Sequence, residues 1–340
     1  MSNKRELGQY FTKRDIWLKD NVKKFILDSK CKIAYDPFAG SGDLLKVASE
    51  LGFKETIGLD IDKDLGWKHN DSLIDIPKVE NAIIITNPPY LADYSAKRKK
   101  MWDNVGKYFA RTSYDNLYLL ALENMLKAQK YVIAIIPETF VNTSFSKERL
   151  YSINVLEENP FNDTENPVCI VCFDDRVKSV YDVKIYKNNH FSTSLGELEA
   201  KRLRPMNNYK IKFNCLEGKI GLRAIDTTNP QKKIAFMKKG ELDYDLIGIK
   251  QSSRLITVID IKLENRKIDA FIKICNNILN KYREGTDDIL LSAFKGNMKN
   301  GIRRRRLDYE TARAIIELSL DAINSNKYYT RQLQLTNKIF

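Results

Sequence analysis

The stretch from residue 31 to residue 62 constrains the fold most, because it contains a strand, a glycine-rich turn, a helix and a second strand in immediate succession. Apolar CKIAYD leads into PFAGSG, DLLKVASELG has the spacing of an amphipathic helix, and TIGLDID is a short apolar run that ends in acids. Two strands joined through a helix form a unit whose strands are parallel. The chain is therefore predicted to contain an open parallel sheet.

The same alternation continues along the chain. NAIIITNPPY is typical of a buried strand that two prolines end, YDNLYLLALENMLKAQ of a helix, and KYVIAIIPETF of another buried strand. PVCIVCFDD and DVKIYKN are predicted to form a terminal antiparallel hairpin, which closes a first domain over residues 1–190. Residues 191–340 contain short β-like runs over 205–262, then helical stretches near 265–281 and 308–325. We predict a doubly wound, Rossmann-like α/β sheet followed by a C-terminal α+β domain.

Charge is divided unequally between the two parts of the chain. Residues 1–180 contain 26 Lys and Arg against 26 Asp and Glu, whereas residues 181–340 contain 31 against 18, so the net charge of +13 lies in the second part. A basic domain beside a neutral one indicates a polyanionic partner, of which nucleic acid is the commonest. A basic surface that serves only solubility is the alternative.

Composition limits the compartment and the metal chemistry. The apolar runs are short and MSNKRELGQY carries no apolar stretch behind its charges, which predicts a cytoplasmic protein that neither crosses nor binds a membrane. The five cysteines are expected to be free thiols, and the CIVC run from Cys169 to Cys172 is expected to be a core strand. Because only His69 and His190 offer imidazole ligands, we predict no metal site.

The first motif with chemical content is DPFAGSG, which lies between a strand and a helix. Gly40 and Gly42 allow the backbone to approach a ligand at the carboxyl edge of the sheet, where open α/β sheets bind cofactors. Asp60 follows at the end of the next strand, where its carboxylate can accept hydrogen bonds from both hydroxyls of a ribose. The alternative for Asp60 is an ordinary turn residue.

The second motif is Asn87-Pro88-Pro89-Tyr90 at the end of a buried strand. Two consecutive prolines cannot donate to a sheet and force an extended exit, so the tetrapeptide is a rigid corner. It presents an amide oxygen and a carbonyl, which are the acceptors that a planar NH2 group needs, and an aromatic ring on which a base can stack. Alone the motif is weak, but it is expected at the same sheet edge as DPFAGSG.

Together, DPFAGSG, NPPY and the N-terminal LGQYFTKRDI resemble the N6-adenine DNA methyltransferases of bacterial restriction-modification systems, over roughly residues 7–175. The resemblance implies an S-adenosyl-L-methionine cofactor, a flipped adenine in double-stranded DNA as target, and a cognate restriction endonuclease as a further partner. It assigns the target base to Asn87, Pro88, Pro89 and Tyr90, with Phe173 as a second stacking ring or, alternatively, a core aromatic. It also implies a set of cofactor-binding residues, namely Gln9, Tyr10, Phe11, Thr12, Asp36, Pro37, Phe38, Gly40, Gly42, Asp60, Ile61 and Asp71.

Motif order narrows the class. Only 51 positions separate Asp36 from Asn87, and the βαβ unit fills them, so a target-recognition domain must follow the catalytic corner. This order resembles the gamma class, with recognition in the basic C-terminal part. Two basic runs are candidate DNA contacts, each with a solvated surface as the alternative. They are Lys97, Arg98, Lys99 and Lys100 in a polar loop through about residue 112, and Arg303, Arg304, Arg305 and Arg306 before a helix.

Other activities share NPPY. A ribosomal RNA adenine N6-methyltransferase remains open, because a basic domain also binds RNA. Protein glutamine N5-methyltransferases are disfavoured, since they resemble a helical N-terminal domain on a catalytic domain without a basic C-terminal half. A noncatalytic cofactor-binding module or a fused endonuclease is disfavoured too, because NPPY is intact and no obvious nuclease cluster of Pro-Asp and acid-x-Lys is present.

Overall fold

A large sheet organises the first part of the chain in the computed structural model, which describes residues 14–158, 160–161, 166–243 and 255–325. Its strands are β1 (Ile33–Asp36), β2 (Glu55–Asp60), β3 (Lys68–His69), β4 (Ala82–Thr86), β5 (Tyr131–Pro137), β6 (Leu150–Val155), β7 (Val168–Phe173), β8 (Lys184–Lys187) and β9 (His190–Ser194). They lie in the order β3-β2-β1-β4-β5-β7-β6-β8-β9. The first five strands pair in parallel, which confirms the predicted α/β class.

Helices precede, connect and follow the strands of this sheet. They are α1 (Arg14–Trp17), α2 (Asp20–Ser29), α3 (Asp43–Glu50), α4 (Asp93–Arg98), α5 (Trp102–Phe109), α6 (Leu117–Ala128) and α7 (Leu195–Ala200). In α2 the buried residues recur at helical spacing, and Phe25 joins Leu44 of α3 and Ile83 of β4 in one core. The apolar α6 packs on β5. Every residue of β4 is buried, as expected for a central parallel strand.

The strand order reverses between β1 and β4. From β1 the sheet runs through β2 to β3 on one side, and from β4 to β5 on the other. Crossovers therefore leave the two central strands toward opposite sides, and a crevice opens at their carboxyl ends. Asp36 ends β1 and Asn87 directly follows β4, so both sequence motifs lie at this crevice.

The predicted terminal hairpin is wrong. β7 is antiparallel to both β5 and β6, and β8 pairs in parallel with β6 rather than with β7. Strand β6, which lies between β7 and β8, was not predicted. Its sequence LYSINV contains the polar Ser152 and Asn154 at buried positions, so it lacks the hydropathy pattern of a core strand. β8 pairs instead with β9, which extends the sheet beyond the predicted end at residue 190. The chain divides into compact units at Met1–Gly196 and Glu197–Phe340.

The second unit contains both strands and helices. A four-stranded antiparallel sheet has the order β10 (Ile211–Phe213), β13 (Ile256–Ile261), β11 (Ile220–Arg223) and β12 (Ala235–Lys238). A hairpin of β14 (Ser292–Asn297) and β15 (Arg303–Arg306) and two long helices, α8 (Ile268–Gly285) and α9 (Tyr309–Asn324), complete the elements described. The helices pack on each other, and α8 packs on β12.

The four consecutive arginines form strand β15 and do not make an exposed run. Arg303 and Arg305 are 2% and 1% exposed, so the prediction that these two residues contact DNA is wrong. Alternation along a strand turns Arg304 and Arg306 to the other side, where both are partly accessible. The Arg304 guanidinium lies over the Phe294 ring and its Nε donates to the Asp226 carbonyl at 2.7 Å.

A buried ion network joins this hairpin to α8. The Arg283 guanidinium donates twice to the Asp226 carboxylate, at 2.9 Å each, and to Asp288 at 2.8 and 2.9 Å. Asp226, which is 0% exposed, also accepts from the backbone N–H groups of Ile234 and Arg305. Because each carboxylate oxygen of Asp226 has partners, the buried charge is compensated.

Within the described residues, the structure has no helix whose length and apolar character would let it cross a membrane. Cys169 and Cys172 are buried in β7, which confirms the predicted core strand, and the five cysteines are free.

Removal of the Asp226 carboxylate should destabilise the second unit strongly. Asp226→Ala leaves part of the buried Arg283 guanidinium uncompensated, and we expect the free energy of unfolding to fall by about 3–5 kcal/mol. Asp243→Ala is the matched control, because its ion pair with Lys232 is exposed and is worth at most about 1 kcal/mol. Denaturant titrations of the full chain measure both. Equal losses in the two variants would contradict a structural role for the network.

Candidate active site

Asp36 is a buried carboxyl at the end of β1, beside the crevice. It is 1% exposed, and its Oδ1 accepts from the Thr86 hydroxyl at 2.5 Å and from the Phe38 backbone N–H at 3.0 Å. Burial raises the pKa of Asp36 from its ordinary 3.8 to about 7, although both hydrogen bonds favour the charged form. The Thr86 bond joins the ends of β1 and β4, so DPFAGSG and NPPY begin side by side.

The turn after β1 is anchored by Asp60. The Gly40 N–H donates to Asp60 Oδ2 at 2.8 Å, and the Asp62 N–H donates to Oδ1 at 2.9 Å. Gly40 has φ +54°, and a Cβ there would meet nothing closer than the Phe38 carbonyl oxygen at 4.0 Å, so the glycine is required by its backbone conformation rather than by crowding. Asp60 is thus both a turn residue and an acidic side chain at the crevice, and its ribose contact stays a prediction.

A cavity of about 350 Å³ opens beside this turn. It brings together residues of both motifs and of the acidic strand ends that the sequence had singled out: Pro37, Phe38, Asp60, Ile61, Asp71, Asn87 and Pro89. It does not include Asp36, Gly40, Gly42, Pro88 or Tyr90. The predicted residues Gln9, Tyr10, Phe11 and Thr12 lie outside the described residues.

Helix α5 supplies a wall of the cavity that the sequence prediction missed. Asn104, Val105, Lys107 and Tyr108 line the cavity, although the segment through residue 112 was expected to be a polar loop. The Tyr108 hydroxyl donates to Asp71 Oδ2 at 2.8 Å, and Lys107 Nζ lies 3.5 Å from the same oxygen. The amphipathic spacing of WDNVGKYF was the available signal for this helix.

The NPPY corner is held from behind by the sheet. The Tyr90 hydroxyl donates to the Ile135 carbonyl of β5 at 2.6 Å and also contacts Asn87 Oδ1. This contact places the Asn87 amide oxygen at the end of β4, while Asn87 remains partly accessible and lines the cavity. The Tyr90 ring packs edge-on to Tyr118 at 6.5 Å between centroids.

Phe173 is not near Tyr90. Because β7 is antiparallel to β5, Val168 pairs with Pro137 at the carboxyl edge, whereas Phe173 pairs with Val132 at the opposite edge. Phe173 is fully buried and packs edge-on to Phe140, so the prediction that it stacks on the target base is wrong.

Phe161, which precedes β7, is the aromatic residue missed at this edge. Its ring centroid lies 6.4 Å from that of Tyr90, and its side chain is 4% exposed. The direction of β7 was the missing information, since an antiparallel strand starts where its parallel neighbour ends.

The basic run after NPPY is exposed. Lys97 and Arg98 end α4 and Lys99 and Lys100 follow it, and all four are accessible. Lys97 forms an ion pair with Asp93 at 3.4 Å and lies over the Trp102 ring. DNA contact by this run stays a prediction. Within the part of the chain that the structure describes, no group of three or more His, Cys, Asp or Glu side chains is arranged to hold a metal ion.

Comparison with known proteins gives one family match. Residues 7–164 match the family described as Eco57I restriction-modification methylase. No curated protein matches the sequence significantly.

Solved structures show weak overall similarity to the chain. A Listeria monocytogenes protein described as a class I S-adenosylmethionine-dependent methyltransferase is 16% identical, with 54% of this chain and 68% of that chain covered and a TM-score of 0.34. The methyltransferase subunit of a type I restriction-modification system from Streptococcus thermophilus is 18% identical, with 50% and 46% covered and a TM-score of 0.36. The M protein of the type I restriction enzyme EcoKI is 11% identical, with 78% and 71% covered and a TM-score of 0.31.

The raised pKa of Asp36 predicts a stability change between about pH 4 and pH 7. The unfolded chain releases this proton near the ordinary pKa of 3.8, whereas the folded protein holds it to about 7. The free energy of unfolding therefore falls as the pH rises through this window, by on the order of 4 kcal/mol from this group. Asp36→Asn, which mimics the protonated carboxyl, should lack this pH dependence.

Denaturant titrations of wild type and Asp36→Asn at several pH values measure the difference, so that the other titrating groups cancel. Asp64→Asn, at an exposed carboxylate of the same unit, controls for the change in charge. Parallel pH profiles of wild type and Asp36→Asn would contradict the buried, protonated state.

Proposed function

Since residues 7–164 match a restriction-modification methylase family, we propose that the protein is an S-adenosylmethionine-dependent DNA methyltransferase that methylates N6 of adenine. The single observation that carries this proposal is the composition of the cavity wall. Asn87 and Pro89 of the corner line the same cavity as Phe38, Asp60 and Asp71. Acceptors for a planar amine thus lie beside a space bounded by a glycine-rich turn and two carboxylates, which suits an adenosyl group.

The cofactor is assigned to the part of the cavity between the turn and α5. We assign the ribose hydroxyls to the Asp60 carboxylate, whose oxygens keep lone pairs beyond the two backbone bonds. Ile61, which is 45% exposed and lines the cavity, offers an apolar surface to the adenine ring. Asp71 can accept from the exocyclic amine of that adenine with the oxygen that Tyr108 leaves open. The cofactor supplies an activated methyl group.

Asn87 and the Pro88 carbonyl hold the target amine. Each accepts one of the two N6 hydrogens, which fixes the nitrogen and turns its lone pair toward the methyl group. Alignment then supplies most of the rate, and no strong general base is needed, because the proton becomes acidic only after the nitrogen has gained the methyl group. The tie from Tyr90 to the Ile135 carbonyl keeps this corner rigid.

An adenine inside a duplex must leave the helix to reach this corner, at a cost of a few kcal/mol in stacking and pairing. Stacking on the Tyr90 ring offsets part of the cost, at about 1–3 kcal/mol per base. Phe161, rather than Phe173, is the aromatic residue that packs on Tyr90 at the carboxyl edge, and its buried ring supports the Tyr90 ring from the core side.

DNA contact is assigned to the exposed run Lys97–Lys100 and to the basic second unit as the recognition domain. Within the second unit, Arg304 and Arg306 remain candidates on the accessible side of β15, and the stacking of Arg304 on Phe294 presents its guanidinium in a fixed plane. A fixed guanidinium suits the bidentate reading of a guanine edge. A cognate restriction endonuclease that cuts the same site completes the proposed system.

Replacement of Asn87 tests the chemistry. Asn87→Ala should reduce methyl transfer to DNA adenine by several orders of magnitude, because it removes an acceptor that acts on the target amine alone. Cofactor affinity, measured by calorimetry with S-adenosylhomocysteine, should stay within about twofold of wild type. Asn280→Ala, at an exposed position on α8 outside the cavity, is the control that should retain transfer. An Asn87→Ala protein that still methylates DNA would contradict the assignment.

Replacement of the exposed lysines tests the DNA contact. The double variant Lys99→Ala, Lys100→Ala should lower DNA affinity and reduce the log-log slope of affinity against salt by about one unit for each phosphate that is no longer neutralised. Lys24→Ala, at an exposed position on α2, is the charge control. Fluorescence anisotropy over a range of salt concentrations measures the slopes. If the double variant shows the same salt dependence of DNA affinity as wild type, these lysines form a solvated surface and do not contact DNA.

A further inference from the structure

Trp67 lies against the glycine-rich turn although no motif contains it. The residue immediately precedes β3, and its indole is partly buried against the same core as α2 and α3. Its Nε1–H donates to the Gly40 carbonyl at 2.8 Å, across 27 positions of the chain. The N–H of Gly40 donates to Asp60, so both the N–H and the carbonyl of this one residue are tied to side chains.

The indole fills space that two glycines leave empty. A Cβ built on Gly58 of β2 would lie 2.4 Å from Cε3 of Trp67 and 2.7 Å from Cδ2. A Cβ on Gly42 would lie 2.8 Å from Cζ2. Real side chains do not approach this closely, so either substitution must displace the ring. Gly42, with φ +81°, is required both by its backbone conformation and by Trp67.

These contacts give the two glycines of the turn different roles. The surface at Gly40 is open, which suits a ligand, whereas the surface at Gly42 is covered by the indole. Displacement of the ring would also break its bond to the Gly40 carbonyl, because the N–H and the ring belong to one rigid group. The packing at Gly58 and Gly42 and the position of Gly40 are therefore coupled.

We propose that Trp67 is a positioning residue that fixes the cofactor turn in its binding conformation; this inference rests on the cofactor site proposed above. Trp67 does not line the cavity and acts through Gly40. By holding the turn before the cofactor arrives, it removes an ordering cost that binding would otherwise include. Gly58 contributes to the same positioning, because the absence of a side chain there leaves room for the Trp67 ring.

Calorimetric titration of the full chain with S-adenosylhomocysteine tests this role. Trp67→Phe removes the donor and keeps a ring, and we expect the dissociation constant to rise about fivefold, as for the removal of one hydrogen bond. Gly58→Ala displaces the indole and should raise it at least as much. In the Trp67→Phe background the ring is smaller, so Gly58→Ala should raise the dissociation constant by a clearly smaller factor than it does in wild type. The factors of the two substitutions should therefore not multiply in the double variant.

Stoichiometry separates positioning from folding. Loss of folded protein lowers the number of sites per chain without changing the dissociation constant, whereas a loosened turn raises the dissociation constant at unchanged stoichiometry. Gly221→Ala is the matched control, because its Cβ would meet Leu242 at 2.7 Å in a strand of the second unit. It should lower the melting temperature without changing cofactor affinity.

Three outcomes overturn the proposal. If Trp67→Phe binds as tightly as wild type, or if Gly58→Ala costs the same factor in both backgrounds, Trp67 does not position the turn. If wild type binds no S-adenosylhomocysteine, the proposed cofactor site itself is wrong, and the positioning role falls with it.

Discussion

The hydrogen bond between the Thr86 hydroxyl and the buried Asp36 carboxyl joins the ends of β1 and β4 at the point where the strand order reverses. Everything proposed for the site depends on this junction. It sets the glycine-rich turn and the NPPY corner side by side, so that a donor molecule on one strand end can face an acceptor on the next. A fully buried carboxyl is costly when charged, and its retention at the junction is explained by the hydrogen bonds that it accepts.

The parallel sheet and seven of the sixteen residues that line the cavity were predicted from the sequence, because those features follow from local order. A strand, a turn and a helix in succession fix both the direction of the strand and the edge at which its turn lies. Asp60 and Asn87 could thus be placed at one edge from spacing alone. The α5 wall was missed because its charges outweighed a short amphipathic pattern.

The errors have a common physical origin in contacts between distant segments. β7 lies between β5 and β6 and is antiparallel to both, an arrangement that hydropathy could not show because Ser152 and Asn154 are buried in β6. The reversed direction moved the predicted stacking residue from Phe173 to the opposite edge of the sheet. Arg303 and Arg305 were predicted to be surface residues because they are charged. They are buried because successive side chains of β15 point to opposite faces and theirs point to the buried one. Trp67 carries no local signal at all, since its partners are Gly40, Gly42 and Gly58.

The central claim is that this chain methylates N6 of adenine in duplex DNA. Mapping of modified bases in DNA and ribosomal RNA from bacteria that express the wild type or Asn87→Ala tests it most directly. We expect N6-methyladenine within one short DNA sequence motif in wild-type cells, its absence with Asn87→Ala, and no new mark in ribosomal RNA. Methylation confined to ribosomal RNA, methylated cytosine in place of adenine, or an unchanged adenine mark with Asn87→Ala would contradict it.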